Sequence, residues 1–180
     1  MMTRTGGLLL LVAIVLLSAA QFPAAADSKY KPCSLLTTAE VEAVLGTKVA
    51  EAQEKDIPVT QGAYKGETMS GCTWVTKGQV SASLGVIRGS RTPEEKAAGG
   101  ASLKRLLEGL KAKGWTVEPA STPGALCSKA TPPAGEANAP TFSSCFSEAK
   151  GLGFAVYVFS SSATPQQVKA LADKAATRLP

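Results

Sequence analysis

The chain has 180 residues, 44% of them hydrophobic and 18% charged, with four cysteines, two tryptophans and no histidine. That length suits one packed domain, and the missing histidine excludes Ser-His and Cys-His nucleophile pairs and every histidine-ligated metal. The formal charge of +5 is spread along the chain without a basic run or aromatics interleaved among the Lys and Arg, which speaks against nucleic acid as a partner.

The N-terminus reads as a secretory signal. Arg4 precedes an apolar run from Leu8 to Leu17, and small residues follow at Ser18 to Ala20 and Ala24 to Ala26, the order of n-region, h-region and A-x-A box. Cleavage is expected after Ala26, with Ala20 as second choice. The stretch Leu8 to Ala20 is shorter than the about 20 apolar residues of a bilayer-spanning helix, so no stable membrane anchor is expected after cleavage. Cys33 follows Tyr30-Lys31-Pro32 rather than a small-residue box, which disfavours lipid attachment. The expected organisation is a signal peptide over 1–26 and a single α+β domain over 27–180. Removing Arg4 from the nineteen Lys plus Arg leaves eighteen against fourteen Asp plus Glu, a mature charge of +4.

Four cysteines in an exported chain, with no C-x-x-C spacing, read as two disulfides rather than a metal site or redox pair. Three connectivities are open. The pairing of sequence neighbours, Cys33 with Cys72 and Cys127 with Cys145, is preferred.

Three helix starts stand out. Thr37-Thr38-Ala39-Glu40 is a capping box, Val41, Val44 and Leu45 form an apolar face behind it, and Gly46 is the stop. Thr92-Pro93-Glu94-Glu95 opens a second helix with the stripe Leu103, Leu106, Leu107 and Leu110, ending at Gly114; Gly99 and Gly100 mark a place where it is expected to weaken or break. Thr164-Pro165-Gln166-Gln167 opens the third, with Val168, Leu171, Ala172 and Ala175 as its buried side.

Between the helices the period falls to two. Val80, Ala82, Leu84 and Val86 alternate with polar or small residues, a half-buried strand. Phe154 to Phe159 is apolar on both faces and is expected at the centre of the sheet. Shorter strands are expected at Lys48 to Gln53, Gly71 to Lys77, Trp115 to Pro119, Leu126 to Lys129 and Phe142 to Lys150, with hairpin turns at Lys77-Gly78 and Lys150-Gly151. Pro132 to Pro140 is a loop inside the second proposed disulfide ring. Ser-x-Cys, a Lys-Gly turn and Thr-Pro recur in the same order from Ser70 to Pro93 and from Ser143 to Pro165, so an internal duplication into 34–91 and 92–163 is one reading and chance is the other. The fold expected is an antiparallel sheet with helices mainly on one face.

Chemical motifs are weak. Ser147-Glu148-Ala149-Lys150 matches S-x-x-K, but it falls on a strand end rather than a helix, and S-D-N and K-T-G are missing. Gly151-Leu152-Gly153 lacks the third glycine of a dinucleotide loop. Glu51, Glu54 and Asp56 sit on a strand and its exit rather than in a tight calcium loop. The candidates for a binding surface are Trp74, Trp115, Tyr157 and Phe159. Core packing is the plainer reading of each, Trp74 sharing a strand face with Cys72.

Pro32-Cys33-Ser34-Leu35-Leu36-Thr37, running to Leu45-Gly46 and followed by Gly71-Cys72-Thr73-Trp74, resembles the opening of a family of small exported bacterial proteins, many of them lipoproteins and especially actinobacterial, a domain family of unknown function. The resemblance covers about the first third of the mature chain. It implies a Cys33–Cys72 bridge and a bacterial envelope setting, and it implies no activity. The expectation is therefore a secreted or periplasmic, non-catalytic binding or interaction domain without cofactor or metal, whose partner is an envelope protein, a polymer or a small ligand. The alternatives are a hydrolase or transferase of unfamiliar type using Ser, Lys or Glu, and a purely structural envelope protein.

Overall fold

Each helix begins where a side chain can satisfy the free N–H groups of its first turn. The computed structural model describes residues 30–60, 64–90, 92–122, 124–136 and 139–179. The expected signal peptide over 1–26 lies outside them. Helix α1 (Thr38–Leu45) is capped by Thr37 and Glu40 reciprocally, with Thr37 N–H donating to Glu40 Oε2 at 2.9 Å, and it ends on Gly46. Helix α2 (Pro93–Ala112) starts from Thr92, and α3 (Pro165–Arg178) starts from a second capping box, Thr164 with Gln167. Contrary to the expected weak point, α2 runs unbroken through Gly99 and Gly100. Two glycines cost a helix only about 1 kcal/mol each, and the turns on either side carry them.

The strands β1 (Glu51–Pro58), β2 (Thr68–Thr76), β3 (Gln79–Arg88), β4 (Thr116–Thr122), β5 (Ala125–Thr131), β6 (Phe142–Ala149) and β7 (Leu152–Val158) form one sheet. Its order is β1-β2-β3-β7-β6-β5-β4, and every neighbouring pair is antiparallel. The strand that is apolar on both faces, β7, is the fourth of seven. The two expected hairpin turns are present: Lys77 and Gly78 (φ 51° and 77°), and Lys150 and Gly151 (φ 50° and 73°), have the paired positive φ of a tight hairpin. Edge strand β1 exposes Glu51, Gln53 and Lys55, and edge strand β4 carries Pro119, two devices that discourage edge pairing with other chains.

Period-two alternation sorts the side chains into two layers. One row crosses the whole sheet as Glu54, Cys72, Leu84, Val156, Cys145, Cys127 and Ala120. With Trp74, Val86 and Val158 on the same side, it meets Val41 and Leu45 of α1 and Val168, Leu171, Ala172 and Ala175 of α3 in the single buried core. A 3-10 turn, Pro32–Ser34, closes that layer, tied by the Cys33–Cys72 disulfide and by Cys33 N–H donating to Glu54 Oε1 at 3.1 Å. The second disulfide is Cys127–Cys145, so both pairs are the sequence neighbours. The helices α1 and α3 thus share one face, while α2 contributes nothing to this core.

A duplication is not shown. Each half opens with a helix, but the first carries three strands and the second four. The first disulfide joins a turn to β2, and the second joins two adjacent strands.

Candidate functional site

The crossover from β3 to the far edge strand β4 decides where a site can form. The core that α1 and α3 share with the sheet contains no α2 residue, so α2 packs apart from it, against the strands at the β4 edge. Leu126 and Ser128 alternate with the core residue Cys127 and therefore face the other side of the sheet. Together with Pro119, Ala120, Ala125 and Cys127 they form one wall of an open groove, and Gly100, Leu103, Lys104 and Leu107 of α2 form the other. Residues 100, 103, 104 and 107 have the i, i+3, i+4, i+7 spacing of one helix face. The groove has a volume of about 650 Å³. Although α2 has the leucine stripe of a core helix, it is held off the sheet, and Leu106 and Leu126 remain 52% and 59% exposed.

The groove floor continues into an aromatic layer. Leu126 stands opposite Phe146, whose ring meets Tyr157 edge-on at 5.4 Å. Tyr157 stacks with Phe159 at 6.4 Å, and Phe142 lies 5.9 Å from both Trp115 and Phe159. Burial pushes the Tyr157 phenol up to about 12, so it stays neutral at any physiological pH. Beneath, the buried hydroxyls of Ser128 and Ser144 hydrogen-bond each other at 3.2 Å, leaving the floor without a free charge.

Three of the four aromatic candidates, Trp115, Tyr157 and Phe159, are therefore brought together on one surface. Trp74 follows the core reading and does not join the binding surface: it is 1% exposed on the core face, because its alternation with Cys72 puts it under the helices. Its indole N–H is buried without a hydrogen-bond partner among the described residues. Phe142, Phe146 and Leu126 were missed. The signal was there in the period-two run Phe142, Ser144, Phe146.

A polar cluster holds the start of α2. Arg88 donates from Nε to Glu67 at 2.8 Å and from Nη1 and Nη2 to both Glu95 oxygens, and its guanidinium lies over the Tyr64 ring at 5.2 Å. Tyr64 and Ser90 hydroxyls are 2.9 Å apart, and Ser90 donates both its N–H and its hydroxyl to Glu148 Oε1. These groups come from segments far apart in sequence, so no local motif announced them.

The remaining motifs are structural. Lys150 lies in a turn and donates to Leu179 O at 2.7 Å, while Ser147 donates to Gly124 O, so the S-x-x-K pair is split. Gly153 is within β7. Glu54 accepts from Cys33, and among the described residues no group of His, Cys, Asp or Glu is placed to hold a metal. Among them, too, no helix is long and apolar enough to cross a membrane. No known family model matches the chain, and no curated protein is significantly similar to it.

Proposed function

We propose that this chain is an exported, non-catalytic binding domain of the bacterial envelope that holds an apolar ligand between α2 and the sheet. The observation that carries the reading is the open groove of about 650 Å³, within the about 300–1,000 Å³ of small-molecule sites. A domain that buries Trp74 and the Cys127–Cys145 disulfide in its core yet leaves Leu126, in the groove, 59% exposed has kept apolar surface available where packing α2 closely would have removed it. The two disulfides fit an oxidising compartment, and the signal-like N-terminus supports delivery there.

The rival, an acyl-transferring or hydrolytic enzyme, draws on the short Ser90 to Glu148 contact of 2.6 Å. There the same carboxylate oxygen also takes the Ser90 backbone N–H, which supports a loop clamp rather than activation of the hydroxyl.

The test is fluorescence of N-phenyl-1-naphthylamine added to the oxidised protein. Enhancement that is lost in Leu126→Glu and Leu107→Glu, with melting temperatures kept, supports the groove. No enhancement with wild type, or enhancement in the two variants equal to that of wild type, overturns it.

A further inference from the structure

We infer that the groove takes the tail of a single-chain anionic amphiphile, with the acid group at Lys104. This rests on the binding reading above and adds the ligand's chemical class. The walls are carbon, from Leu103, Leu107, Pro119 and Leu126, and among the described residues that line the groove Lys104 alone is charged. Its side chain is 78% exposed, so an acid group beside it stays in water at the rim and no charge is buried. Glu108 is 3.9 Å away and itself 60% exposed, a loose pair at the outer limit of contact that a ligand carboxylate can displace at little cost.

The surrounding charges agree in sign. From residue 104 onward α2 and its exit carry Lys104, Arg105, Lys111 and Lys113 against Glu108, a field that attracts anions to this end of the groove. The helix wall from Gly100 to Leu107 spans about 10 Å at 1.5 Å per residue, which suits one tail of moderate length and not two. Gly100 lies on the groove-facing stripe, and a Cβ added there would meet nothing within 4 Å. Leu at this position would occupy the end of the tail's path while improving the helix.

Decanoate and decanol share a tail and differ in the head, so the pair separates this inference from the one it rests on. Binding to the oxidised protein is followed by chemical-shift perturbation in ¹H–¹⁵N spectra. Wild type is expected to bind decanoate about two- to fivefold more tightly than decanol, the size of an exposed ion pair. Lys104→Glu should remove that preference, and added salt should weaken decanoate alone. Gly100→Leu should melt no lower than wild type and lose both ligands. Equal binding of the two by wild type, or a preference that survives Lys104→Glu, overturns the anionic class and leaves the groove standing. Shifts for neither ligand, together with no naphthylamine signal, overturn both.

Discussion

Cys127 and Cys145 stand directly opposite each other on β5 and β6, so their disulfide joins two strands that the sheet already pairs. Cys33 and Cys72 are 39 residues apart and join the 3-10 turn to β2. Constraining the unfolded chain accounts for about 4 kcal/mol in the longer ring and about 3 in the shorter, each a large share of the about 5–15 kcal/mol typical of a domain. In the native state, too, the first bond has less help, since the turn is otherwise held by the Cys33–Glu54 hydrogen bond and by packing. Cys33→Ala/Cys72→Ala should therefore lower the urea midpoint more than Cys127→Ala/Cys145→Ala. Equal midpoints for both variants and wild type would count against the framework, and the reverse ranking against this account of it.

Glu40 links the first and last helices and makes the fold sensitive to acid. Arg178 donates to both Glu40 oxygens at 2.6 and 2.9 Å and to Leu35 O at 3.0 Å. The guanidinium, with the Thr37 backbone N–H behind it, pulls the Glu40 carboxyl from 4.5 down to about 2. A carboxyl more acidic in the folded than in the unfolded chain stabilises at pH above its unfolded value and loses that contribution as the pH falls from 4.5 towards 2. Allowing for solvent around a partly exposed pair, the size is about 1 kcal/mol or less. Glu40→Gln keeps a side chain able to complete the capping box. It should be less stable than wild type at pH 6, and most of that difference should be gone at pH 2.5, by urea denaturation at both. A constant difference across that range would show that the carboxyl's charge is not involved.

Most of this fold was legible because its signals are local. Thr37, Thr92 and Thr164 cap the helices they were expected to cap, and a run apolar on both faces proved to be the central strand, as burial on two sides requires. The first strand was set too early, at Lys48 to Gln53 instead of Glu51–Pro58, because a charged edge strand has no hydrophobic alternation to fix its ends. The place taken by α2 was not legible, since it depends on α1 and α3 having filled the core. The same dependence hid the groove, whose helical wall reads in sequence as an ordinary core stripe. Trp74 and Tyr157 look alike in a sequence; only the register of their strands separates the helix-covered face from the other.

The two Lys-Gly turns offer a matched pair of substitutions. Lys77 and Lys150 both hold positive φ, 51° and 50°, which costs an ordinary side chain more than it costs Asn. Lys77→Asn should raise stability by about 0.5 kcal/mol, within the gain that turn residues give when they fit the backbone. Lys150→Asn makes the same gain but breaks the bond from Lys150 Nζ to Leu179 O, which fastens the chain beyond α3. It should melt below Lys77→Asn, and amide exchange in α3 should quicken. A Lys77→Asn protein that melts below wild type would contradict the turn assignment.

Gly89 is the point where the end of β3 presses against the β6–β7 turn. Its N–H donates to Gly151 O at 2.7 Å, and a Cβ added there would sit 2.7 Å from that oxygen and 2.8 Å from its carbonyl carbon. Both are backbone atoms of a tight hairpin, so they cannot swing aside as the end of a side chain can. Gly89→Ala should therefore cost about 1–3 kcal/mol, the usual range for overpacking. Gly109, exposed in α2, has nothing within 4 Å of the same added atom, so Gly109→Ala should stabilise by about 0.5–1 kcal/mol through helix propensity alone. The same chemical change thus acquires opposite signs at two positions, read as urea midpoints of the oxidised proteins. A Gly89→Ala protein as stable as wild type would mean that β3 does not approach the turn this closely, and with it the placement of Ser90 against Glu148 would fall.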